Sequence, residues 1–344
     1  MSVTTATAPA QLPVWIAADP ASVKLLELVH KIADTASTVL ILGESGSGKD
    51  QLAQLLHFSG ARRHEPIVKI DCASLPAELI ESELFGYEKG AFTGAYQAKP
   101  GRLEMAGQGT LILDEIASLS LPLQAKLLRV IEEKSFERVG GHATIQIDAR
   151  LVALTNVDLE RAVAQRAFRE DLYYRLFVLP VVIPPLRGRR EDILPLVDHF
   201  LRNSAGMERG QRIGFDSELR HALLEYSYPG NVRELRNLIN QALVWNRASL
   251  WTLADFPEYL ARETAGPAPD KTLEEIEKEH IAQMLQRYQG RKQQAAAALG
   301  ISAKTLLEKR RKYGLDLPWT DRVPREAIRR DPVPVALAAA RGRQ

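Results

Sequence analysis

Short apolar runs alternate with helical patterns along the first half of the chain. Four continuous runs lie at Val39 to Leu42, Ile67 to Ile70, Thr110 to Leu113 and Leu151 to Leu154. A strand with one solvated face would alternate between apolar and polar residues, so continuous runs indicate strands that are covered on both faces. The pattern therefore predicts an α/β domain with a parallel sheet between helices over residues 14–186.

Beyond Pro184 and Pro185 the apolar spacing becomes purely helical. Examples are Ile193 to Leu201 and Leu219 to Glu225. We interpret residues 187–262 as a small helical lid on the α/β domain. The segment 263–271 is rich in Pro, Ala and Gly, which predicts a linker.

A third region, residues 272–317, begins with an apolar stripe at helical spacing. Its members are Leu273, Ile276, His280, Ile281, Met284, Leu285 and Tyr288. Two shorter helices are predicted after it, with Gly300 in the turn between them and Ser302 as the N-cap of the second. This order is typical of a helix-turn-helix. The stripe either forms a dimer interface or packs against the helix-turn-helix itself.

Composition places the chain among ordinary globular proteins, with 45% hydrophobic and 26% charged residues. No apolar run reaches the roughly 18 residues of a membrane span. Residues 1–13 lack the basic start and apolar centre of a signal peptide. We therefore expect a cytoplasmic protein without a membrane partner, with disordered segments at 1–13 and 318–344. The single cysteine, Cys72, is predicted to be a buried small hydrophobe.

The net charge of +2 conceals an uneven distribution. Residues 270–344 hold 16 Lys and Arg against 10 Asp and Glu, whereas the remainder holds 29 against 33. Positive charge attracts the phosphates of nucleic acid, so the C-terminal region is the part suited to DNA. A basic tail without a ligand is the alternative that charge alone leaves open.

A glycine-rich segment follows the first predicted strand and precedes a predicted helix. It consists of Gly43, Glu44, Ser45, Gly46, Ser47, Gly48 and Lys49. In such a P-loop the backbone N–H groups surround the phosphates of ATP and the lysine reaches the β- and γ-phosphates. Asp50 follows, where the general pattern has a Ser or Thr ligand for Mg²⁺. The sequence therefore predicts ATP and Mg²⁺ and leaves the metal ligands open.

The third predicted strand ends in two carboxylates, Asp114 and Glu115. In this Walker B arrangement, Asp114 is expected to orient Mg²⁺ through water, and Glu115 to polarise the attacking water. An isolated pair of this kind could also cap a helix. The P-loop upstream favours catalysis.

A short loop sequence lies between these two motifs: Gly90, Ala91, Phe92, Thr93, Gly94 and Ala95. Its glycines allow a tight turn, and Phe92 has no apolar partner in the adjacent sequence. The pattern predicts a projecting loop with a hydrophobic contact for another molecule. The alternative is a hairpin whose Phe92 folds back onto its own domain.

In combination, these motifs closely resemble those of the bacterial enhancer-binding proteins, the AAA+ activators of sigma-54 RNA polymerase. Within that family the chain resembles the phage shock protein and Hrp-type activators, which lack an N-terminal regulatory domain. The resemblance covers residues 14–262 and implies a AAA+ P-loop ATPase whose loop at residues 90–95 contacts sigma-54. It also accounts for Asp50, since an acidic residue is common there in the family.

The resemblance implies roles for further residues. Thr155 and Asn156 match sensor I, and Arg233 matches the sensor II arginine of the lid. Arg169 and Arg175 match the arginine fingers that act on a neighbouring subunit. Six helical residues turn about 600°, so either the helix starts after Arg169 or only one of the two arginines reaches the phosphate.

One residue departs from the family pattern. Relatives often carry Asn at the end of the second strand, where its amide holds the catalytic glutamate inactive until the loop engages sigma-54. Asp71 stands there in this chain, and a carboxylate cannot donate a hydrogen bond to Glu115. Our hypothesis is that the Glu115 switch is weaker or bridged in this protein.

We also predict Asn231 as the N-cap of a lid helix, with Glu234 completing a capping box.

The C-terminal region resembles the Fis-type helix-turn-helix through the sequence GISAKTLLEKRRKYGL. In the predicted recognition helix, Lys304, Thr305 and Glu308 are expected to reach base edges. The residues expected to meet phosphates are Lys309, Arg310, Arg311 and Lys312.

The resemblance thus implies an activator that binds upstream double-stranded DNA and assembles into oligomers from dimer to hexamer. ATP hydrolysis would convert closed complexes of sigma-54 polymerase into open ones. Only about 13 residues precede the ATPase, so we expect control in trans by a separate protein. Two alternatives are a DNA-binding regulator with a vestigial ATPase and another AAA+ machine such as a helicase.

Overall fold

The computed structural model describes residues 13–204, 213–246, 248–260, 273–288 and 292–315. Two compact units divide the chain, residues 1–264 and 265–344. The segments predicted to be disordered or linkers lie outside the described residues, except Pro13. Among the helices that are described, none combines the length and apolar character needed to cross a membrane.

The strands of the first unit are β1 (Val39–Leu42), β2 (Ile67–Asp71), β3 (Gly86–Tyr87), β4 (Lys99–Pro100), β5 (Thr110–Asp114), β6 (Ser135–Glu137), β7 (Thr144–Gln146), β8 (Arg150–Thr155), β9 (Leu179–Val182), β10 (Gly214–Phe215) and β11 (Leu250–Trp251). Its helices are α1 (Pro20–Ile32), α2 (Lys49–Phe58), α3 (Ala77–Phe85), α4 (Arg102–Ala106), α5 (Leu121–Glu133), α6 (Leu159–Ala164), α7 (Glu170–Leu176), α8 (Ile193–Arg202), α9 (Ser217–Glu225) and α10 (Asn231–Trp245).

Five strands form one parallel sheet in the order β2-β5-β8-β1-β9. Successive residues of the central strands enter different cores, because neighbouring side chains point to opposite faces. Leu111 and Leu113 join the core that contains α3, α5 and α7. Ile112 joins the core that contains α1 and α2. The predicted α/β class and parallel sheet covered on both sides are confirmed, and Cys72 is buried as expected.

The lid contains α8, α9 and α10 around a separate apolar core. The prediction of a purely helical pattern there is wrong in one respect. Strands β10 and β11 form a short parallel pair, in which Phe215 lies opposite Trp251. Burial of the Trp251 indole in the lid core holds this pair in place.

The second unit contains α11 (Leu273–Arg287), α12 (Lys292–Ala298) and α13 (Ala303–Tyr313). Of the predicted stripe, Ile281 and Leu285 pack against α12 and α13, whereas His280 is exposed. The side chains of Leu273 and Ile276 lie outside the described residues. Packing within the helix-turn-helix, rather than a dimer interface, therefore accounts for the buried part of the stripe.

The turn between α12 and α13 has the predicted geometry. Gly300 adopts φ +66°, a left-handed conformation that favours glycine. The Ser302 side chain accepts a hydrogen bond from the Thr305 backbone N–H at 3.0 Å and caps α13.

Candidate functional site

The P-loop between β1 and α2 borders a cavity of about 460 Å³. Residues from the P-loop, from the end of β5 and from the lid line it together. They are Ser45, Gly46, Gly48, Lys49, Asp50, Gln51, Gln54, Asp114, Glu115, Phe200, Val232, Arg233 and Arg236. Sequence reasoning assigned no site role to the lining residues Gln51, Gln54, Phe200, Val232 and Arg236.

Gly46 lets the lid approach the P-loop closely. Its carbonyl oxygen accepts hydrogen bonds from the N–H groups of Val232 at 3.0 Å and Arg233 at 3.3 Å. A Cβ at Gly46 would lie 2.3 Å from the carbonyl oxygen of Gly230, and φ is +75° there. Glycine is therefore required at this position. In addition, the Arg233 guanidinium donates to Ser45 Oγ at 3.0 Å, which brings the predicted sensor II residue to the P-loop.

Lys49 is buried beneath this loop. Its Nζ donates to the carbonyl oxygens of Gly43 at 2.8 Å and Glu44 at 3.2 Å. Burial lowers the pKa of Lys49, while the charges of Glu115 and Asp114 oppose that shift. The ammonium is thus held at the P-loop backbone, and its contact with phosphates stays a prediction from the sequence.

Glu44 links the P-loop to the lid through charge. Arg187 donates to both of its carboxylate oxygens, at 2.8 and 2.5 Å, and Asn231 Nδ2 donates to Oε2 at 3.0 Å. These hydrogen bonds lower the pKa of Glu44 to about 2. The carboxylate therefore stays ionised at neutral pH and holds both partners.

The predicted N-cap role of Asn231 is wrong. Helix α10 begins at Asn231 itself, which has φ +52°, and the helix has no side-chain cap. Its side chain bonds to Glu44 and to the Ser45 carbonyl oxygen and accepts from the Leu186 N–H, so it is not free to cap the helix. Glu234 does bond to the start of the helix, accepting from the Gly230 N–H at 2.8 Å.

The carboxylates of the site are joined by a lysine that the sequence did not single out. Lys69 Nζ lies 2.7 Å from Asp50 Oδ1 and 2.8 Å from Asp114 Oδ2. Burial acts to lower the pKa of Lys69, but the hydrogen bonds to Asp114 and Asp50 outweigh it and raise that pKa. The carboxylate oxygens of Asp50 and Asp114 fit Mg²⁺, which prefers carboxylate oxygens in combination with water and phosphate oxygens.

Glu115 lies just beyond β5 in a left-handed conformation, with φ +52°. Its Oε2 accepts a hydrogen bond from the Asn156 backbone N–H at 3.4 Å. Asp71 bonds instead to its own turn, where Oδ1 accepts from the Ala73 N–H at 2.9 Å. In the part of the chain that the structure describes, no hydrogen bond joins Asp71 to Glu115.

The two predicted sensor I residues differ in exposure. Asn156 is exposed beside Glu115, whereas Thr155 is buried at the end of β8. The Thr155 hydroxyl accepts from the Val157 N–H at 3.0 Å. Of the pair, Asn156 therefore presents its side chain to solvent at the site.

The two predicted arginine fingers lie outside the cavity lining. Arg169 precedes α7 with extended backbone, so the helix starts after it, which is the first of the two predicted alternatives. Its guanidinium pairs with Asp171 at 2.6 Å, and Arg175 pairs with Glu132 at 3.0 Å. Both side chains are partly exposed.

The loop at residues 90–95 is closed at its base. The Gly90 N–H donates to the Ala95 carbonyl oxygen at 2.8 Å. Phe92 is 44% exposed, and its ring centroid lies 4.9 Å from that of Tyr87 in an edge-to-face contact. The expectation that Phe92 lacks an apolar partner in the adjacent sequence is therefore wrong, because the turn brings Tyr87 beneath it.

The base of this loop is joined to the segment between β5 and β8. Backbone hydrogen bonds of 3.0 Å run from Glu88 N–H to the Val139 carbonyl and from Val139 N–H to the Gly86 carbonyl. Arg138 pairs with Glu88 at 3.0 Å and with Glu104 at 2.7 Å. Strand β5 carries Asp114 and strand β8 carries Thr155, so the loop base is attached to the segment that connects those two strands.

In the second unit, helix α13 presents Lys304, Glu308 and Arg311 as exposed residues at helical spacing. Lys309 instead pairs with Glu277, and Lys312 pairs with Glu274 at 2.5 Å, both on α11. Arg310 Nε donates to the Leu315 carbonyl oxygen at 2.7 Å, and Thr305 is bonded to Ser302. Of the predicted DNA-contacting residues, Lys304, Glu308, Arg311 and Lys312 are thus exposed, with Lys312 in a surface ion pair, whereas Thr305, Lys309 and Arg310 are half-buried and bonded within the unit.

The P-loop, the Asp114–Glu115 strand end and the docked lid define a AAA+ ATPase fold, which a helix-turn-helix unit follows. Three family descriptions match: Sigma-54 interaction domain over residues 15–182, AAA+ ATPase lid domain over 187–273, and bacterial regulatory protein, Fis family, over 272–313. The chain belongs to the sigma-54-dependent transcriptional activators, the bacterial enhancer-binding proteins.

Similar proteins agree with this assignment. The chain is 42% identical over 308 residues to Regulatory protein AtoC of Escherichia coli K12, covering 86% of this chain and 67% of the relative. It is 46% identical over 300 residues to the alginate biosynthesis regulator AlgB of Pseudomonas aeruginosa, covering 86% and 66%. For the nitrogen fixation protein VnfA of Azotobacter vinelandii the identity is 44% over 300 residues, covering 85% and 57%. This chain thus spans between 57% and 67% of the length of these relatives.

Among solved structures, NtrX from Brucella abortus in complex with ADP matches with a TM-score of 0.68 and 32% identity. The match covers 89% of this chain and 70% of that one. The same protein in complex with ATP matches with a TM-score of 0.67, also at 32% identity.

Proposed function

We propose that this protein hydrolyses ATP and uses the cycle to press its loop at residues 90–95 against sigma-54, so that closed promoter complexes open. The observation that carries the proposal is the attachment of an exposed Phe92 loop to the segment between the Walker B and sensor I strands. A change in the position of Glu115 or Asn156 can therefore be transmitted to the loop through the segment between β5 and β8 and its hydrogen bonds to the loop base.

ATP is the nucleotide we assign to the cavity. The P-loop N–H groups, Lys49 and Arg233 offer positive potential for the phosphates, and the matched NtrX structures were solved with ADP and with ATP. Asp114 and Asp50 would hold Mg²⁺, whose charge would neutralise phosphate oxygens. Glu115 would accept a proton from the attacking water.

We also propose assembly into a ring, which the position of the arginines supports. Arg169 and Arg175 do not line their own cavity, so a second copy of the chain would supply a guanidinium to it. Exposed apolar residues in the same segment, Tyr174, Val178 and Val182, suit a contact between subunits. Control by a separate protein stays a prediction from the sequence.

Replacing Phe92 with Ala is expected to weaken engagement of sigma-54 by about 30-fold or more, because a central exposed aromatic is typical of a binding hot spot. Thr93→Ala should likewise reduce open-complex formation. Both variants should retain ATP hydrolysis, since none of the loop residues lines the cavity. Open complexes can be measured by transcription with sigma-54 polymerase, with Thr93→Ser as the variant that keeps the hydroxyl. Wild-type levels of open complex with Phe92→Ala and Thr93→Ala would show that the loop is not the contact.

We further propose that the second unit binds upstream DNA through the exposed face of α13. Arg311→Ala is expected to reduce the slope of log affinity against log salt by about 0.9 for each phosphate contact that is lost. Lys278→Ala, an exposed lysine on α11, is the matched control and should leave the slope unchanged. Fluorescence anisotropy across a salt series measures both values. Equal slopes for Arg311→Ala and wild type would exclude this phosphate contact.

A further inference from the structure

Lys69 contacts two carboxylates of the cavity lining, Asp50 and Asp114. It occupies the third position of β2, in register with Ile112 of β5, while Asp71 pairs with Asp114 two residues further on. Its ammonium contacts Asp50 and Asp114 at 2.7 and 2.8 Å, and its side chain is 38% exposed. One lysine thus bridges the residue after the P-loop lysine and the Walker B aspartate.

Two other cations of the cavity lining, Lys49 and Arg233, bond to the P-loop and to neither Asp50 nor Asp114. Lys49 donates to the carbonyl oxygens of Gly43 and Glu44, and Arg233 donates to Ser45. Lys69 therefore supplies the direct countercharge to the two carboxylates in the described part of the site. Without it, Asp50 and Asp114 would repel each other and the phosphates of ATP.

The presence of Asp50 explains why a positive charge is needed at this point. The general P-loop pattern has a neutral Ser or Thr hydroxyl after the lysine, which needs no cation beside it. An aspartate adds a negative charge at that point, and Lys69 balances it. The same Asp114 oxygen that bonds to Lys69 belongs to the group expected to orient Mg²⁺.

We propose that Lys69 is a positioning residue that neutralises Asp50 and Asp114 and competes with Mg²⁺ for them. This inference rests on the proposed binding of ATP. Two consequences follow. Lys69 raises the Mg²⁺ concentration that the site requires, because the metal must displace an ammonium, and it allows ATP to bind when Mg²⁺ is scarce, because the carboxylates are already neutralised.

The test compares nucleotide binding in wild type and Lys69→Met, with a fluorescent ATP analogue as the probe. Binding is measured in EDTA and then across a Mg²⁺ titration at fixed nucleotide. For Lys69→Met we expect the dissociation constant in EDTA to rise about tenfold and the Mg²⁺ midpoint to fall about tenfold, as for the loss of hydrogen bonds between charged groups. Lys126→Met is the matched control, since it removes a lysine paired with Glu81 on a different surface.

Two further variants separate loss of the charge from a general effect of the substitution on folding. Lys69→Gln replaces the ammonium with a neutral polar group and should shift both values in the same direction as Lys69→Met. Lys69→Arg retains the charge and should remain closer to wild type. Circular dichroism identifies any variant that fails to fold.

Several outcomes would overturn the inference. It fails if Lys69→Met and Lys69→Gln match Lys126→Met in both titrations, or if they raise the Mg²⁺ midpoint. In that case the proposed function stands, because the wild type still binds nucleotide. If wild type binds no nucleotide with or without Mg²⁺, the ATP-driven function and the role of Lys69 are both wrong.

Discussion

Glu115→Gln is expected to lower ATP hydrolysis by about 10² to 10⁴-fold, the range typical for removal of a general base. In the wild type, Glu115 Oε2 accepts a hydrogen bond from the Asn156 N–H at 3.4 Å. Gln is close in size to Glu and keeps a side-chain oxygen that can accept the same hydrogen bond. It cannot take the proton of the attacking water. The variant should therefore bind ATP and fail to turn it over.

Two assays on the same preparation separate binding from chemistry. Phosphate release measures turnover, and a fluorescent ATP analogue measures the dissociation constant, which should stay within about twofold of wild type if only the chemical step is affected. Glu78→Gln makes the same substitution at an exposed position in the first turn of α3 and should change neither value. Normal phosphate release by Glu115→Gln would remove Glu115 from the catalytic step.

Motifs with a local pattern were predictable from the sequence. Strand β1 has the predicted bounds, and β2, β5 and β8 differ from them by one or two residues in length. Strand β9 was not among the predicted strands, and it contains Pro180. A proline cannot donate to a central sheet ladder, but β9 is the edge strand, where that loss is tolerated.

Contacts between distant residues were not predictable in the same way. Arg187 and Glu44 are 143 positions apart, and their pairing depends on how the lid docks on the P-loop. Lys69 lies 19 positions from Asp50, and no motif marks it. The signal that could have identified it is a lysine within the otherwise apolar predicted strand Ile67 to Ile70, one residue before its end; the structure shows that this strand neighbours the Walker B strand.

Asp71 shows how the structure changes a hypothesis from the sequence. The prediction that a carboxylate cannot hold Glu115 through an amide hydrogen bond agrees with the observed partner of Asp71, which is the Ala73 N–H. Glu115 is instead held by its left-handed backbone and the Asn156 N–H. No hydrogen bond joins Asp71 to Glu115 in the described part of the chain, and the weaker switch stays a hypothesis.

Arg169→Ala and Arg175→Ala are each expected to lower ATP hydrolysis by about 10³ to 10⁵-fold if the residue acts as an arginine finger. The loss should appear in turnover rather than in ATP affinity, because neither residue lines the cavity. Arg202→Ala is the control, since that guanidinium is exposed and paired with Asp198 in the lid. If an arginine only forms its ion pair with Asp171 or Glu132, its replacement by Ala would leave turnover near wild type.

Mixing two inactive variants tests whether the arginines act between subunits. In a ring with head-to-tail interfaces, a subunit carrying Arg169→Ala keeps its own Glu115, and a neighbour carrying Glu115→Gln keeps its own Arg169. Their shared interface therefore holds one intact site. With equal amounts mixed at random, about one interface in four is complete, so turnover should recover to a measurable fraction of wild type. Recovery on mixing requires action in trans, whereas arginines that act within their own subunit would leave the mixture as inactive as its components.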